Sequence, residues 1–171
     1  MRLFIAINLS SAMKDALINI QNAFYDAGVR GNYTSEENLH LTLAFIGEYP
    51  DAESVMDSLV AVSFTPFAIS LDGIGSYGNL WWAGISRSPA LDAVVRRIRR
   101  ALAENGIPFD RKKFSPHITL VRKASGSSRP PVSIGNVSAT VETISLMRSD
   151  RGKRGMIYTE TGVLTAEGAS E

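Results

Sequence analysis

The tetrapeptides His40-Leu41-Thr42-Leu43 and His117-Ile118-Thr119-Leu120 are near-copies of each other, and together they hold both histidines of the 171-residue chain. From the chain's own Thr and Leu frequencies, chance would set Thr at +2 and Leu at +3 of both histidines with a probability on the order of 10⁻⁵. Any fold of this chain must therefore present the same short segment twice. In an extended strand, alternate side chains share a face. Leu39, Leu41, Leu43 and Phe45 then lie on one side, with His40, Thr42 and Ala44 on the other. In the second copy His117, Thr119 and Val121 share a face opposite Ile118 and Leu120. The leucine faces read as core, leaving an imidazole and a hydroxyl roughly 6–7 Å apart along each strand. A lone His-x-Thr can be the polar side of any half-buried strand; two copies that hold every histidine ask for a joint role. Arg122 has the opposite parity to His117 and joins the same face only if the strand ends, twists or bulges there.

The remaining sequence supplies a scaffold for these strands. Residues 2–7 are apolar and rich in strand formers, ending at Asn8. Ser10 or Ser11 caps a helix whose stripe is Met13, Leu17, Ile20 and Phe24, stopping before Gly28. A short strand over 30–34 precedes the first motif strand, 39–47, and Ala52, Val55, Leu59 and Val62 mark a second helix. Phe67, Ile69 and Leu71 alternate as a strand. The literal G-x-G-x-x-G that follows, Gly73 to Gly78, runs into the strand-like 80–85 and opens no helix, so it is read as a hairpin connection and not as a phosphate loop. Ser88-Pro89 starts a third helix, with a buried stripe of Leu91, Val94, Val95, Ile98 and Leu102 ending at Gly106. Arg96, Arg97, Arg99 and Arg100 fall on its remaining face and read as solvated, with a weaker alternative as an RNA contact. Pro116 keeps Ser115 extended, so the second motif strand starts near His117. A flexible loop is expected over 125–131, strands over 137–148 and 155–164 joined by a basic turn at 150–154, and a disordered tail over 166–171.

Strand runs with only three helices predict an α+β fold with antiparallel sheets, in one domain spanning 1–171. A content of 44% hydrophobic and 20% charged residues suits one such globular unit. No apolar stretch approaches the length of a membrane span, and the apolar run at the N-terminus is interrupted too early for a signal sequence, so a soluble cytoplasmic protein is expected. Zero Cys excludes disulfides, thiolate nucleophiles and Cys-based zinc sites. The net charge of +1 conceals an asymmetry: residues 1–85 hold 3 basic and 9 acidic side chains, residues 86–171 hold 15 and 8. Such a split can orient a polyanion toward one lobe.

Two histidines with no assignable third ligand fall short of a zinc or iron shell, so no metal is expected. Two imidazoles with unperturbed pKa of about 6.5 can instead hold opposite protonation states near neutrality, one as base and one as acid. That suits in-line displacement at phosphorus, with Thr hydroxyls on the non-bridging oxygens. A substrate carrying its own strained leaving group fits best, and a nucleoside 2′,3′-cyclic phosphate is one.

The paired motifs, the opening Met-Arg-Leu-Phe-Ile-Ala-Ile and the runs Glu37 to Glu48 and Phe114 to Arg122 resemble the 2H phosphoesterase superfamily, and within it the RNA 2′,3′-cyclic phosphodiesterase branch, also called 2′-5′ RNA ligases. The resemblance spans nearly the whole chain. It implies a bilobal fold of two pseudo-symmetric antiparallel sheets with flanking helices and a central cleft carrying both motifs. It further implies hydrolysis of RNA or nucleoside 2′,3′-cyclic phosphates to a 2′-phosphomonoester without metal or cofactor, with weak reversible 2′-5′ ligation. By that pattern His40 is the proton donor, His117 the proton acceptor, and Thr42, Thr119 and Arg122 bind phosphate. A monomer with no obligate protein partner is expected; the alternative is a non-catalytic domain that binds RNA ends or nucleotides. Two departures are Asn8, where the family commonly has Asp, and Tyr33, where an aromatic residue, often Trp, precedes the first motif. Phe4, Phe45, Trp81 and Trp82 are candidates to stack a base, each with core as the stronger reading.

Overall fold

A computed structural model describes residues 1–126 and 132–169. Among these residues, nine strands and three α-helices follow the order β1 (Arg2–Asn8), α1 (Ser11–Asp26), β2 (Arg30–Tyr33), β3 (His40–Glu48), α2 (Ala52–Leu59), β4 (Phe67–Tyr77), β5 (Leu80–Ile85), α3 (Pro89–Glu104), β6 (His117–Ser125), β7 (Ser138–Val141), β8 (Thr143–Gly152) and β9 (Gly155–Thr165). The strands form two antiparallel sheets, in the orders β3-β1-β8-β9 and β2-β6-β5-β4-β7. This is the expected α+β, two-sheet architecture, with one motif strand in each sheet.

The two halves repeat one arrangement of elements. The units β1-α1-β3 and β5-α3-β6 match, and both long helices run 16 residues. Ser10 and Ser88 cap them, each hydroxyl accepting the N–H three residues on, from Met13 and Leu91. Both end at a glycine with positive φ, Gly28 at 94° and Gly106 at 69°, as a left-handed helix terminus favours. The helices reach across the two sheets: α1, which follows β1, contacts β6 and β7 of the other sheet, while α3 contacts β3 of the other sheet and β4 of its own. One continuous buried cluster draws on both sheets and all three helices, with Leu41, Leu43, Ile118 and Leu120 fully buried in it. Truncating such a leucine to alanine typically costs about 2–5 kcal/mol.

Each motif strand bulges at the same place. Ile5 pairs with Ala44 and Ala6 with Thr42, so Leu43 has no partner on β1. Trp81 pairs with Val121 and Trp82 with Thr119, so Leu120 has none on β5. A bulge inserts one residue and reverses which face the following side chains take. Strict alternation therefore holds only through Leu43 and Leu120. Beyond them Ala44 and Val121, expected on the polar faces, are buried, and Phe45, expected in the core, is 39% exposed beneath the Arg2 guanidinium.

Other expectations are corrected by the structure. Gly73 to Tyr77 continues β4, leaving only Gly78 and Asn79 as the turn. Glycine is required at position 75, because a Cβ there would run into the Trp82 ring. The strand expected over 137–148 is two strands, divided at Glu142. Residues 166–169 are ordered against the fold: Ala166 is buried, its N–H donates to the Glu142 carbonyl at 2.8 Å, and that of Glu167 donates to the Phe64 carbonyl at 2.8 Å. These bonds anchor the segment that composition alone marks as disordered; 170–171 lie outside the described residues. Of the loop expected over 125–131, Ser125 ends β6 and 127–131 lie outside the described residues.

Candidate active site

The two bulged strands meet across a cavity of about 870 Å³ between the sheets. His40 and Thr42 reach it from β3, and His117, Thr119 and Arg122 from β6, so all five predicted site residues share one cleft. The bulge at Leu120 turns Arg122 onto the face of His117. Lys153 and Arg154, from the β8–β9 turn, complete the basic side, and among the described residues Glu37 is the one acidic side chain on the lining. The cleft thus favours an anion. Among the described residues no three His, Cys, Asp or Glu side chains gather in a group that could hold a metal ion.

Both imidazoles are fixed in the same way. His40 Nδ1 lies 2.6 Å from the Asn38 carbonyl and His117 Nδ1 lies 2.7 Å from the Ser115 carbonyl, each two residues back. A carbonyl only accepts, so Nδ1 carries the proton in both rings and Nε2 is left to do chemistry. His40 Nε2 is 2.8 Å from Thr42 Oγ1; when the ring is neutral, the hydroxyl donates. His40 lies against Phe4, with ring centres 5.0 Å apart, and Tyr158, at 5.2 Å and perpendicular. Burial pushes its pKa below the ordinary 6.5, the Asn38 carbonyl partly offsets this, and the charges of Arg122 and His117 add to the depression. His117 packs beside a pair of touching rings, Tyr77 at 5.7 Å and Trp82 at 6.3 Å, which lie 5.4 Å from each other.

Several contributors were not apparent from sequence. Asn38 is buried and its Nδ2 donates to the Met156 carbonyl at 2.8 Å, which ties the turn before His40 to β9. The only sign of it was its place two residues before the histidine. Tyr77 and Tyr158 flank the imidazoles across sheet registers that no local pattern reveals. Tyr33 lines the cleft and donates its hydroxyl to the Val29 carbonyl at 2.8 Å, and burial raises its pKa. Of the proposed stacking aromatics, Phe4 is buried under His40 and Trp81 packs edge-on against Phe24. Asn8 pairs with His40 across β1 and β3 and bonds Ser145 at 3.3 Å. The arginines of α3 stay off the cleft lining; Arg96, Arg97 and Arg100 are exposed to solvent as expected, while Arg99 is half-buried and bonds backbone carbonyls.

An α+β fold that sets two His-x-Thr strands across one basic cleft defines a paired-histidine phosphoesterase. The profile of the 2′-5′ RNA ligase superfamily matches residues 19–153, and the chain belongs to that superfamily. An RNA 2′,3′-cyclic phosphodiesterase of Escherichia coli K12 is 30% identical over 163 residues, covering 92% of each chain. Another, from Geobacillus stearothermophilus, is 31% identical over 134 residues; the match spans 73% of this chain but 43% of that relative's length. The crystal structure of E. coli LigT complexed with 3′-AMP superposes with a TM-score of 0.85 at 28% identity, over 97% of this chain and 98% of that one. No helix among the described residues is long and apolar enough to cross a membrane.

Proposed function

We propose that the chain hydrolyses 2′,3′-cyclic phosphates at RNA ends or on nucleosides to 2′-phosphomonoesters, without metal. The observation that carries this reading is the pair of imidazoles whose Nε2 atoms serve one basic cleft, each with Nδ1 held by the carbonyl two residues back. In the reaction, His117 Nε2 takes a proton from water as the water oxygen bonds to phosphorus. The bond from phosphorus to the 3′-oxygen breaks, and His40 Nε2–H delivers the proton that makes the 3′-hydroxyl. Arg122 and the hydroxyls of Thr42 and Thr119 hold the non-bridging oxygens. His40 is uncharged in the free protein near neutrality, since burial and Arg122 disfavour its cation. The anionic phosphate offsets that penalty, so the acid is armed as substrate enters. Ligation follows the same path with a 5′-hydroxyl in place of water: His117 takes its proton as the 5′-oxygen bonds to phosphorus, the bond to the 3′-oxygen breaks, and a 2′-5′ linkage results.

The same reading takes 1–171 as a single catalytic domain, which the one continuous core supports, working as a monomer on cytoplasmic RNA. The test is turnover of 2′,3′-cyclic mononucleotides and of an RNA ending in a cyclic phosphate, with chelator present and products identified by phosphorus NMR. A 2′-monophosphate is expected, and His40→Ala and His117→Ala each remove nearly all kcat. Binding without turnover would replace this reading with that of an RNA-end-binding domain, and loss of turnover on chelation would overturn the metal-free mechanism.

A further inference from the structure

Each bulge leaves one motif residue, Leu43 or Leu120, without a partner on the neighbouring strand β1 or β5. A side chain from a long helix reaches the carbonyl of each, and that of Leu120 also accepts the Thr34 N–H at 3.0 Å. Gln21 of α1 donates from Nε2 to the Leu120 carbonyl at 2.9 Å and to the Thr34 carbonyl at 2.9 Å. Arg99 of α3 donates to the Leu43 carbonyl from Nη2 at 3.2 Å and Nε at 3.4 Å, and to the Lys112 carbonyl from Nη1 at 2.7 Å.

The two sets of contacts correspond in position. Gln21 and Arg99 are each the eleventh residue of a 16-residue helix. Leu43 and Leu120 are each the fourth residue of a motif. Thr34 and Lys112 each lie on the approach to a motif, and the spacing from Gln21 to Thr34 equals that from Arg99 to Lys112. Each side chain therefore bridges the bulge of one motif strand to the segment leading into the other. Gln21 is 8% exposed and uses both amide N–H groups in this way. Arg99 is further held near the Phe109 and Phe114 rings, Phe114 being three residues before His117. A neutral amide and a charged guanidinium at equivalent positions share only the ability to donate in two directions at once. Helix packing as such asks for no such residue: the other buried residues of α1 are apolar, as are all those of α3, beside which Arg99 is half-buried.

We infer that Gln21 and Arg99 are positioning residues, a pair of cross-lobe staples that fix both bulges and set the separation of the two histidines and Arg122. The inference rests on the cleft being catalytic. Substrate contacts neither staple; their effect passes through backbone that carries His40, His117 and Arg122.

The test compares wild type with Gln21→Met and Arg99→Met, well below their melting temperatures. Misplacing a reacting group by about 1 Å can cost on the order of a hundredfold in rate. Each variant is expected to lose about ten- to a hundredfold in kcat while KM changes by less than about threefold, and Arg99→Lys, which keeps a charged donor, regains part of the loss. The chain's two histidines give two sets of ring signals in NMR, and both are expected to move in the folded variants. A lowered melting temperature with wild-type kcat and unmoved ring signals would overturn the inference. If the Met variants do not fold, Gln21→Asn and Arg99→Lys are judged by the same two readouts. Absence of turnover in the wild type would sink the catalytic reading alone, because the ring signals report on the staples without substrate.

Discussion

Replacing Arg122 by Met tests the bulge at Leu120 and the electrostatics of the cleft together. By strand parity Arg122 belongs on the face away from His117, and only the unpaired Leu120 brings it into the cavity. A charge-assisted hydrogen bond is worth about 1.5–3 kcal/mol. Arg122 is exposed to solvent, which places its phosphate contact at the lower end, ~1.5 kcal/mol, or about tenfold in kcat/KM. The same cation depresses the pKa of His40, so Arg122→Met raises that pKa and moves one limb of the kcat/KM profile to higher pH. NMR titration of the His40 ring measures the shift directly in the absence of substrate. Arg122→Lys separates the two effects: it keeps the charge, holding the His40 titration near wild type, while losing the planar fork that matches phosphate. An unchanged kcat/KM together with an unmoved His40 titration would mean that Arg122 points away from the cleft, and the bulge that places it there would have to be abandoned.

Three further outcomes follow from particular contacts. His40 holds a native pKa below the ordinary 6.5, so as pH falls through 6.5 the unfolded chain takes up a proton that the native chain resists; stability is full above that value and declines below it, and melting temperatures of His40→Gln against pH should lack this component. Gly75→Ala drives a Cβ into the Trp82 ring beside His117; a loss of about 1–3 kcal/mol in denaturant unfolding, with a shift in tryptophan emission, is expected, and wild-type values for both would refute the contact. Asn38→Ala removes the buried bond to the Met156 carbonyl and should cost about 1–3 kcal/mol, lowering kcat as well because the carbonyl that orients His40 loses its anchor; unchanged kcat would show that His40 is oriented without it.

The apolar periodicities of Met13 to Phe24 and of Leu91 to Leu102, with their serine caps and terminal glycines, placed both long helices to within a residue or two, because local sequence determines caps and amphipathic faces. The doubled motif likewise disclosed both halves of the cleft. Bulges were beyond reach: Leu43 and Leu120 look like ordinary core alternation, and only pairing with strands far along the chain shows that neither has a partner. The same holds for Gln21, a polar residue between Ile20 and Phe24 that reads as a boundary position until its amide is seen to bond carbonyls at 34 and 120. Arg99 was counted with a solvated arginine face for the same reason: its acceptors belong to β3 and to the approach to β6. Tertiary pairing, and not propensity, decides such positions.

The packing of α1 on β6 and β7 and the placing of β1 between β3 and β8 have a consequence in time. Arg2 pairs with Ser149 and Ala6 with Ser145, so during synthesis one edge of β1 waits for roughly 140 residues before its neighbour exists, and α1 waits for β6 before it has a sheet to cover. Chains dominated by such distant pairings fold slowly, over milliseconds to seconds. Until β8 arrives, the run from Leu3 to Ile7 is an open template for any passing strand. The nascent chain is therefore most exposed to aggregation just before its last third emerges, and because each histidine stands on one lobe and is braced by a helix from the other, it has no half-built form with half the activity.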